Sequence, residues 1–210
     1  MSKDVKNILN IGDVTTFENF LRLLAGRSGQ LLNLTSLGND DGFSHTTAKR
    51  WISILEASYI IKLLRPHFNN FNKRVIKSPK IYFLDSGLLC YLLRISSPEI
   101  LPTHPQIGGI FETFVISEIT KWFVHQGLEV PLYFWRDRGG NEIDLIIDKG
   151  ELLYPVEIKA PQTISTGLYQ NITNWLSLPG NKQTTGSLIY GGSDFQARED
   201  IQIIPWYAIS

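Results

Sequence analysis

The stretch Glu142-Ile143-Asp144-Leu145-Ile146-Ile147-Asp148-Lys149-Gly150-Glu151-Leu152-Leu153-Tyr154-Pro155-Val156-Glu157-Ile158-Lys159 sets two largely alternating runs on either side of Lys149-Gly150, a two-residue turn signal. It predicts a β-hairpin. With Asp148 paired to Glu151, the short loop fixes the register. Ile143 then faces Val156, Leu145 faces Tyr154 and Ile147 faces Leu152, so one face is wholly apolar and belongs to a core. The opposite face pairs Glu142 with Glu157 and Asp144 with Pro155. Asp144 lies diagonal to Glu157, within reach across the pair, and Lys159 continues the face two residues on.

Two carboxylates at that spacing repel one another. A hard divalent ion, Mg2+ or Mn2+, removes the conflict, because it takes a few carboxylates, a carbonyl and waters as ligands. It would also acidify a bound water and neutralise charge developing on a phosphate. Lys159 is then placed to orient the attacking water or to stabilise that charge. The carbonyl of Ile158 is a natural extra ligand. Glu112 is the candidate for a third carboxylate, because its neighbours Phe111, Phe114 and Val115 read as core. Glu and Lys also decorate many solvated sheet faces, and Glu-x-Lys is a short string, so spacing alone leaves a plain surface face open.

Working outward, residues 165–177 read as a helix whose start is blurred by Gly167, and 187–190 and 201–205 as strands. Upstream, 132–136 reads as a strand and 110–125 as an amphipathic helix behind Gly108-Gly109. Strands mixed with helices predict an α/β domain over 106–210. Residues 96–105, ending in Pro105, read as a linker.

The first 97 residues have another order. Thr15-Thr16-Phe17-Glu18 has the form of a capping box, with Thr15 as N-cap and Glu18 at N3, ahead of Phe20, Leu21 and Leu24 at helical spacing. A second short helix is expected with Thr35 as its N-cap, stopping near Asp40. A third follows Ser44, with Ala48, Ile52 and Leu55 inward. Strand-like runs come next, Tyr59 to Leu64, ended by Pro66, and then Arg74 to Phe83, interrupted at Pro79. A helix follows over Asp85 to Leu93. Helix, turn, longer helix and hairpin is the order of a winged helix-turn-helix. Thr46, Lys49, Arg50 and Ser53 on the outer face of the third helix suit a duplex groove. Lys73, Arg74, Lys77 and Lys80 form a basic wing suited to phosphates. A solvated helix and a charged edge that blocks strand pairing are the plainer readings of these residues. Winged helices also bind proteins.

Lys+Arg and Asp+Glu balance at 20 each among 210 residues, so any nucleic-acid surface must be local. A chain of this length can bury a core without disulfides or structural metal. Cys90 is the single cysteine, which excludes an internal disulfide and predicts a buried, inert thiol. His45, His67, His104 and His125 lack zinc-site spacing. The N-terminus carries no apolar signal segment, and no apolar run reaches the roughly 20 residues that span a bilayer. A cytoplasmic protein without membrane contact is the expectation. Arg136 or Arg138 would serve either a phosphate or a surface ion pair. Asp85 reads as a helix cap, Gln170 as pointing into the cleft, and Trp175, Trp206 and Tyr207 as packing aromatics.

Glu112, Asp144 and Glu157-Ile158-Lys159, in that order, resemble the signature of a PD-(D/E)xK restriction-endonuclease-like α/β domain. More narrowly, Ile11 to Phe17, Ala48 to Trp51, Lys77 to Leu88, Gly109 to Val115, Asn141 to Asp144 and Val156 to Lys159 resemble the C-terminal half of bacterial and archaeal ATPases that carry the DUF4143 domain. The Lys77 to Leu88 string is the most specific of these. In that family an AAA+-type ATPase precedes a winged helix and a nuclease-like domain. The resemblance implies an α+β or α/β chain, with a winged helix-turn-helix over 1–97 and a nuclease-like domain over 106–210. It implies catalytic positions at Glu112, Asp144, Glu157 and Lys159, with a metal held by the three carboxylates. It implies DNA, and an AAA+ domain supplied by another chain, as partners. The phosphate loop G-x-x-x-x-G-K-[ST] does not occur in the sequence, so ATP hydrolysis by this chain alone is not expected. A natural short form, a split gene product and a fragment are readings of that absence. The functional expectation is a DNA-binding, metal-dependent nuclease-like module. The alternative is a non-catalytic DNA- or protein-binding accessory module, or a remnant of a larger ATPase, because fold does not fix function.

Overall fold

A computed structural model describes residues 14–38, 43–67 and 77–209. Helix α1 (Val14–Ala25) buries Phe17, Phe20, Leu24 and Ala25. Thr15 lies inside this helix rather than capping it, and the cap position falls outside the described residues. Helix α2 (Leu34–Gly38) is capped by Asn33, whose Oδ1 accepts from the Ser36 amide at 3.2 Å. Thr35 is thus a helical residue; Asn33 is the better-placed and equally good cap. Helix α3 (His45–Ala57) starts behind Ser44 as expected, the Ser44 hydroxyl accepting from the Thr47 amide at 3.1 Å. Phe17, Phe20, Phe43 and Trp51 meet in one aromatic cluster with centroids 5.1–6.3 Å apart.

Strands β1 (Ile61–Pro66) and β2 (Lys80–Phe83) make an antiparallel ribbon. Pro66 ends β1 from within, a terminal position where a missing amide is tolerated. Asp85 caps helix α4 (Ser86–Leu92) by accepting from the Leu88 amide at 2.7 Å. Cys90 on α4 is only partly buried, which corrects the buried expectation, although burial still pushes its thiol up. A 3-10 turn at Pro98–Thr103 leads into helix α5 (Ile107–His125). That helix already contains Gly109, where a Cβ would lie 3.0 Å from the Ser28 carbonyl oxygen.

The remaining elements are β3 (Leu132–Arg136), β4 (Glu142–Asp148), β5 (Leu153–Lys159), α6 (Gln170–Leu176), β6 (Gly186–Tyr190), β7 (Gln196–Arg198) and β8 (Ile201–Pro205). The eight strands form one sheet in the order β2-β1-β3-β4-β5-β6-β8-β7. Strands β3, β4 and β5 are an antiparallel meander; β6 runs parallel to β5 and β8 parallel to β6. Strand β1 runs parallel to β3, pairing Arg65 with Tyr133 and Pro66 with Phe134, so the N-terminal ribbon extends the second half's sheet.

Helix α5 covers one face of the sheet, around Val115, Ile116, Leu145, Val156 and Ile158. Helix α6 covers the other, around Ile146, Leu153, Ile172 and Trp175. The centre of the hairpin is therefore core on both faces, which corrects the expectation of one apolar and one acidic face. Glu142, Asp144 and Glu157 gather at one end, the start of β4 and the finish of β5, while Asp148 and Glu151 lie at the loop end. Among the described residues no helix is long and apolar enough to cross a membrane.

Candidate active site

The hairpin register differs by two residues from the expected one. Leu145 pairs with Val156, Ile146 with Pro155, Ile147 with Tyr154 and Asp148 with Leu153. Lys149 to Leu152 form the loop, closed by the Lys149 amide on the Leu152 carbonyl at 2.9 Å. Gly150 takes φ 82°, and its amide donates to Asp148 Oδ1 at 2.8 Å. At the loop's end the core takes Leu153, 6% exposed, and leaves Leu152 42% exposed. A shift of two keeps each side chain on its face but changes its partner. One step beyond the Leu145–Val156 pair, Asp144 falls opposite Glu157 rather than diagonal to it.

Against β3, strand β4 carries a bulge. Tyr133 pairs with Ile146 and Trp135 with Ile143, so Phe134 alone faces both Asp144 and Leu145. An extra residue re-aims the side chains around it. Ile143 and Ile146 consequently pack in the same core, with α6. The Asp144 carboxylate reaches β5, where Oδ2 accepts from the Ile158 amide at 3.0 Å and from Lys159 Nζ at 2.6 Å.

Glu157 is fully buried. Lys159 Nζ forms an ion pair with its Oε2 at 2.5 Å, and Oε1 has no hydrogen-bond partner among the described residues. Burial, followed by repulsion from Asp144, pushes the Glu157 carboxyl up to about 9 against the pull of Lys159. Burial also opposes the charge on Asp144, but Lys159, Lys80 and the Ile158 amide together hold that carboxyl below its ordinary value. The Lys159 ammonium is raised: burial would lower it, and Asp144 and Glu157 more than reverse that.

Glu112 comes from the second turn of α5. Its Oε1 accepts from Lys80 Nζ at 3.1 Å and from the Tyr82 hydroxyl at 2.5 Å. Burial, opposed by Lys80 and assisted by Asp144, pushes its carboxyl up to about 7. Lys80 also pairs with Glu142, which accepts from Arg136 Nη1 at 3.0 Å. Lys80 therefore leaves the basic wing to which its neighbours assigned it. It is 3% exposed, because all four residues of β2 are buried and a lysine survives there only when paired. Lys80 and Tyr82 are the site residues that sequence reasoning missed. The alternation Lys80-x-Tyr82 against Ile81-x-Phe83 was the available signal.

Thr46, Lys49, Arg50 and Ser53 are exposed on α3, as is Lys77 ahead of β2, whereas Lys73 and Arg74 lie outside the described residues. Arg136 is engaged by Glu142. Arg138 is exposed in the turn before β4. Gln170 is exposed and donates to Asn174 at 3.1 Å rather than to the acidic cluster. Trp175 packs as expected; Trp206 and Tyr207, in a final 3-10 turn, are nearly half exposed but pack edge-on against Phe114 and Phe195.

Among the described residues no three His, Cys, Asp or Glu side chains converge as a ready metal-binding group. Lys80 and Lys159 stand between the carboxylates. Asp144 and the half-satisfied Glu157 nonetheless form an oxygen-donor pair of the chemistry a hard cation takes.

Comparison with known proteins gives two relatives. The uncharacterized proteins Rv2008c of Mycobacterium tuberculosis and Mb2031c of Mycobacterium bovis are each 34% identical to this chain over 143 residues. That stretch is 68% of this chain and 32% of each relative, so the match covers about a third of their length. No solved structure matches significantly. The similarity along the sequence divides between two family models: residues 1–99 match Domain of unknown function DUF8612, and residues 107–209 match Domain of unknown function DUF4143.

Proposed function

We propose that the acidic cluster is a metal-dependent phosphodiesterase site on a PD-(D/E)xK nuclease-like domain, and that the N-terminal half is a winged helix that holds DNA. One observation carries the reading. Asp144 stands opposite Glu157, one step beyond the Leu145–Val156 pair, with Lys159 two residues on, and a fully buried Glu157 oxygen has no hydrogen-bond partner among the described residues. A purely structural ion-pair cluster normally satisfies its buried polar atoms.

Asp144 and Glu157 would hold a Mg2+ or Mn2+ ion; Glu112, the third carboxylate that the resemblance implies, is engaged by Lys80 and Tyr82 instead. The bound ion supplies positive charge and an acidified water. Lys159 is 29% exposed where Asp144 is 10% and Glu157 0% exposed, so it is the group that meets an incoming phosphate. Its ammonium would stabilise charge on the phosphoryl oxygens as the water oxygen bonds to phosphorus, the P–O ester bond breaks and the leaving oxygen takes up the proton that the water gives up. Thr46, Lys49, Arg50, Lys73, Arg74 and Lys77 hold DNA in this reading. An AAA+-type ATPase domain on another chain is its partner; the aligned stretch is only 32% of each relative, which leaves room for further domains there.

Incubating the purified chain with single-stranded, duplex and branched DNA in Mg2+ or Mn2+ tests catalysis. Cleavage that vanishes in Asp144→Ala and in Lys159→Ala is expected; no cleavage of any substrate rejects it. A second reading is favoured by the two lysines that already neutralise much of the cluster: a non-catalytic DNA- or protein-binding module. It gives salt-sensitive DNA binding that Lys49→Ala with Arg50→Ala weakens and Asp144→Ala leaves unchanged.

A further inference from the structure

The two ends of the acidic cluster are satisfied to different degrees. At one end Glu112 and Glu142 share Lys80, with Tyr82 donating to Glu112 and Arg136 to Glu142. At the other end Asp144 and Glu157 share Lys159, and among the described residues Glu157 Oε1 has no hydrogen-bond partner.

We infer that Lys80 is the resident cation of this site: its ammonium fills, between Glu112 and Glu142, the position a second divalent ion would otherwise take. The remaining, exchangeable cation position is then the one at Asp144 and Glu157, a clause that rests on the function proposed above.

Three observations fix Lys80 in that role. Its backbone is held on both sides, pairing with Leu64 of β1 and bridging to Leu31. Its side chain is 4% exposed, and its ammonium sits 5.6 Å from the centroid of the Phe134 ring, so an aromatic face covers it in place of water. Its two carboxylate partners come from different elements, α5 and β4, so the ammonium joins them as a bridging ion would. Charge gives the stoichiometry. Once a bound ion has displaced the proton of Glu157, Glu112, Glu142, Asp144 and Glu157 against Lys80, Lys159 and Arg136 leave one net negative charge. One divalent ion reverses that sign, and a second would pile further positive charge into a buried space. Lys80 belongs to the half that matches DUF8612, so the half that matches DUF4143 does not hold the whole site.

Lys80 is a positioning residue, and counting bound Mn2+ on the full-length chain separates this role from simple packing. Native mass spectrometry and calorimetry would be run on wild type, Lys80→Gln and Lys80→Arg. Wild type and Lys80→Arg are expected to bind one Mn2+ and Lys80→Gln two, with Mn2+ raising the melting temperature of Lys80→Gln more than that of wild type. A merely structural lysine would lose ion binding on substitution rather than gain it. Two ions on wild type, or no gain in Lys80→Gln, overturns the inference. If Lys80→Gln is unfolded without metal, Mn2+ must restore its far-ultraviolet circular dichroism, and failure to do so also overturns it. If wild type binds none and Lys80→Gln binds one, Lys80 keeps its role and the Asp144–Glu157 cation position is the part that fails.

Discussion

Glu157 and Glu112 are carboxyls that prefer their protons in the folded chain, pushed up to about 9 and about 7 respectively. A carboxyl raised on folding contributes stability that is fully present below its unfolded value and is lost as pH rises through the folded one. Glu112 therefore withdraws its contribution from about pH 4.5 to 7, and Glu157 from about 4.5 to 9. Asp144, held low, works in the opposite sense, and its contribution is lost only as the solution falls below its ordinary value of 3.8. Lys80 and Lys159, both raised, keep theirs until the pH passes 10.5. Thermal unfolding of the metal-free chain should thus show a melting temperature that falls from pH 5 to 9. Glu157→Gln should flatten that slope and melt higher than wild type at pH 9. A wild-type profile flat across the range would mean that Glu157 ionises without penalty.

At the scale of elements, α6, β5 and β6 meet closely at Gly186. A Cβ on Gly186 would lie 2.6 Å from Ile172 Cγ2 and 3.0 Å from the Pro155 carbonyl oxygen. Gly186→Ala should lose about 1–3 kcal/mol in urea unfolding through overpacking. Gly108→Ala, on α5 with open space around it, should be neutral or gain about 0.5–1 kcal/mol. That Asp144, Glu157 and Lys159 come together was legible because they sit in two short strands joined by a turn signal, whereas Glu112 comes from the 19-residue α5, and only its core-like neighbours and the resemblance set it beside them. The loop length was not readable: Lys149-Gly150 marks a turn, but the Asp148 side chain and the choice of Leu153 over Leu152 set its size. Neither could the bulge at Asp144 be read, since an extra residue exists only relative to β3. Lys80 looked like surface charge because a local window shows the cations around it and not the helix and strand that supply its carboxylates. Strand β7, three exposed residues at an edge, offers no alternation at all.

Across the whole molecule, two family matches meet in one sheet. Contacts besides the ribbon join the halves: Ser28 Oγ lies 2.8 Å from Thr113 Oγ1, Gln106 donates to the Gly26 carbonyl at 2.9 Å, and Ser117 donates to the Leu84 carbonyl at 2.6 Å. Damage to the helical half should therefore reach the acidic cluster. Trp51→Ala, at the centre of the N-terminal aromatic cluster, should destabilise the chain by about 3–5 kcal/mol. Its unfolding followed by tryptophan fluorescence and by far-ultraviolet circular dichroism should coincide in one transition. Two separated transitions would show that the halves unfold independently. The seam between β1 and β3 is short, with two paired positions, one of them the prolyl Pro66, which has no amide to give. Lys80 reaches across to the far side of that seam. The halves cannot be prised apart without drawing its ammonium out of the carboxylates, and an ion that took its place would act as a wedge.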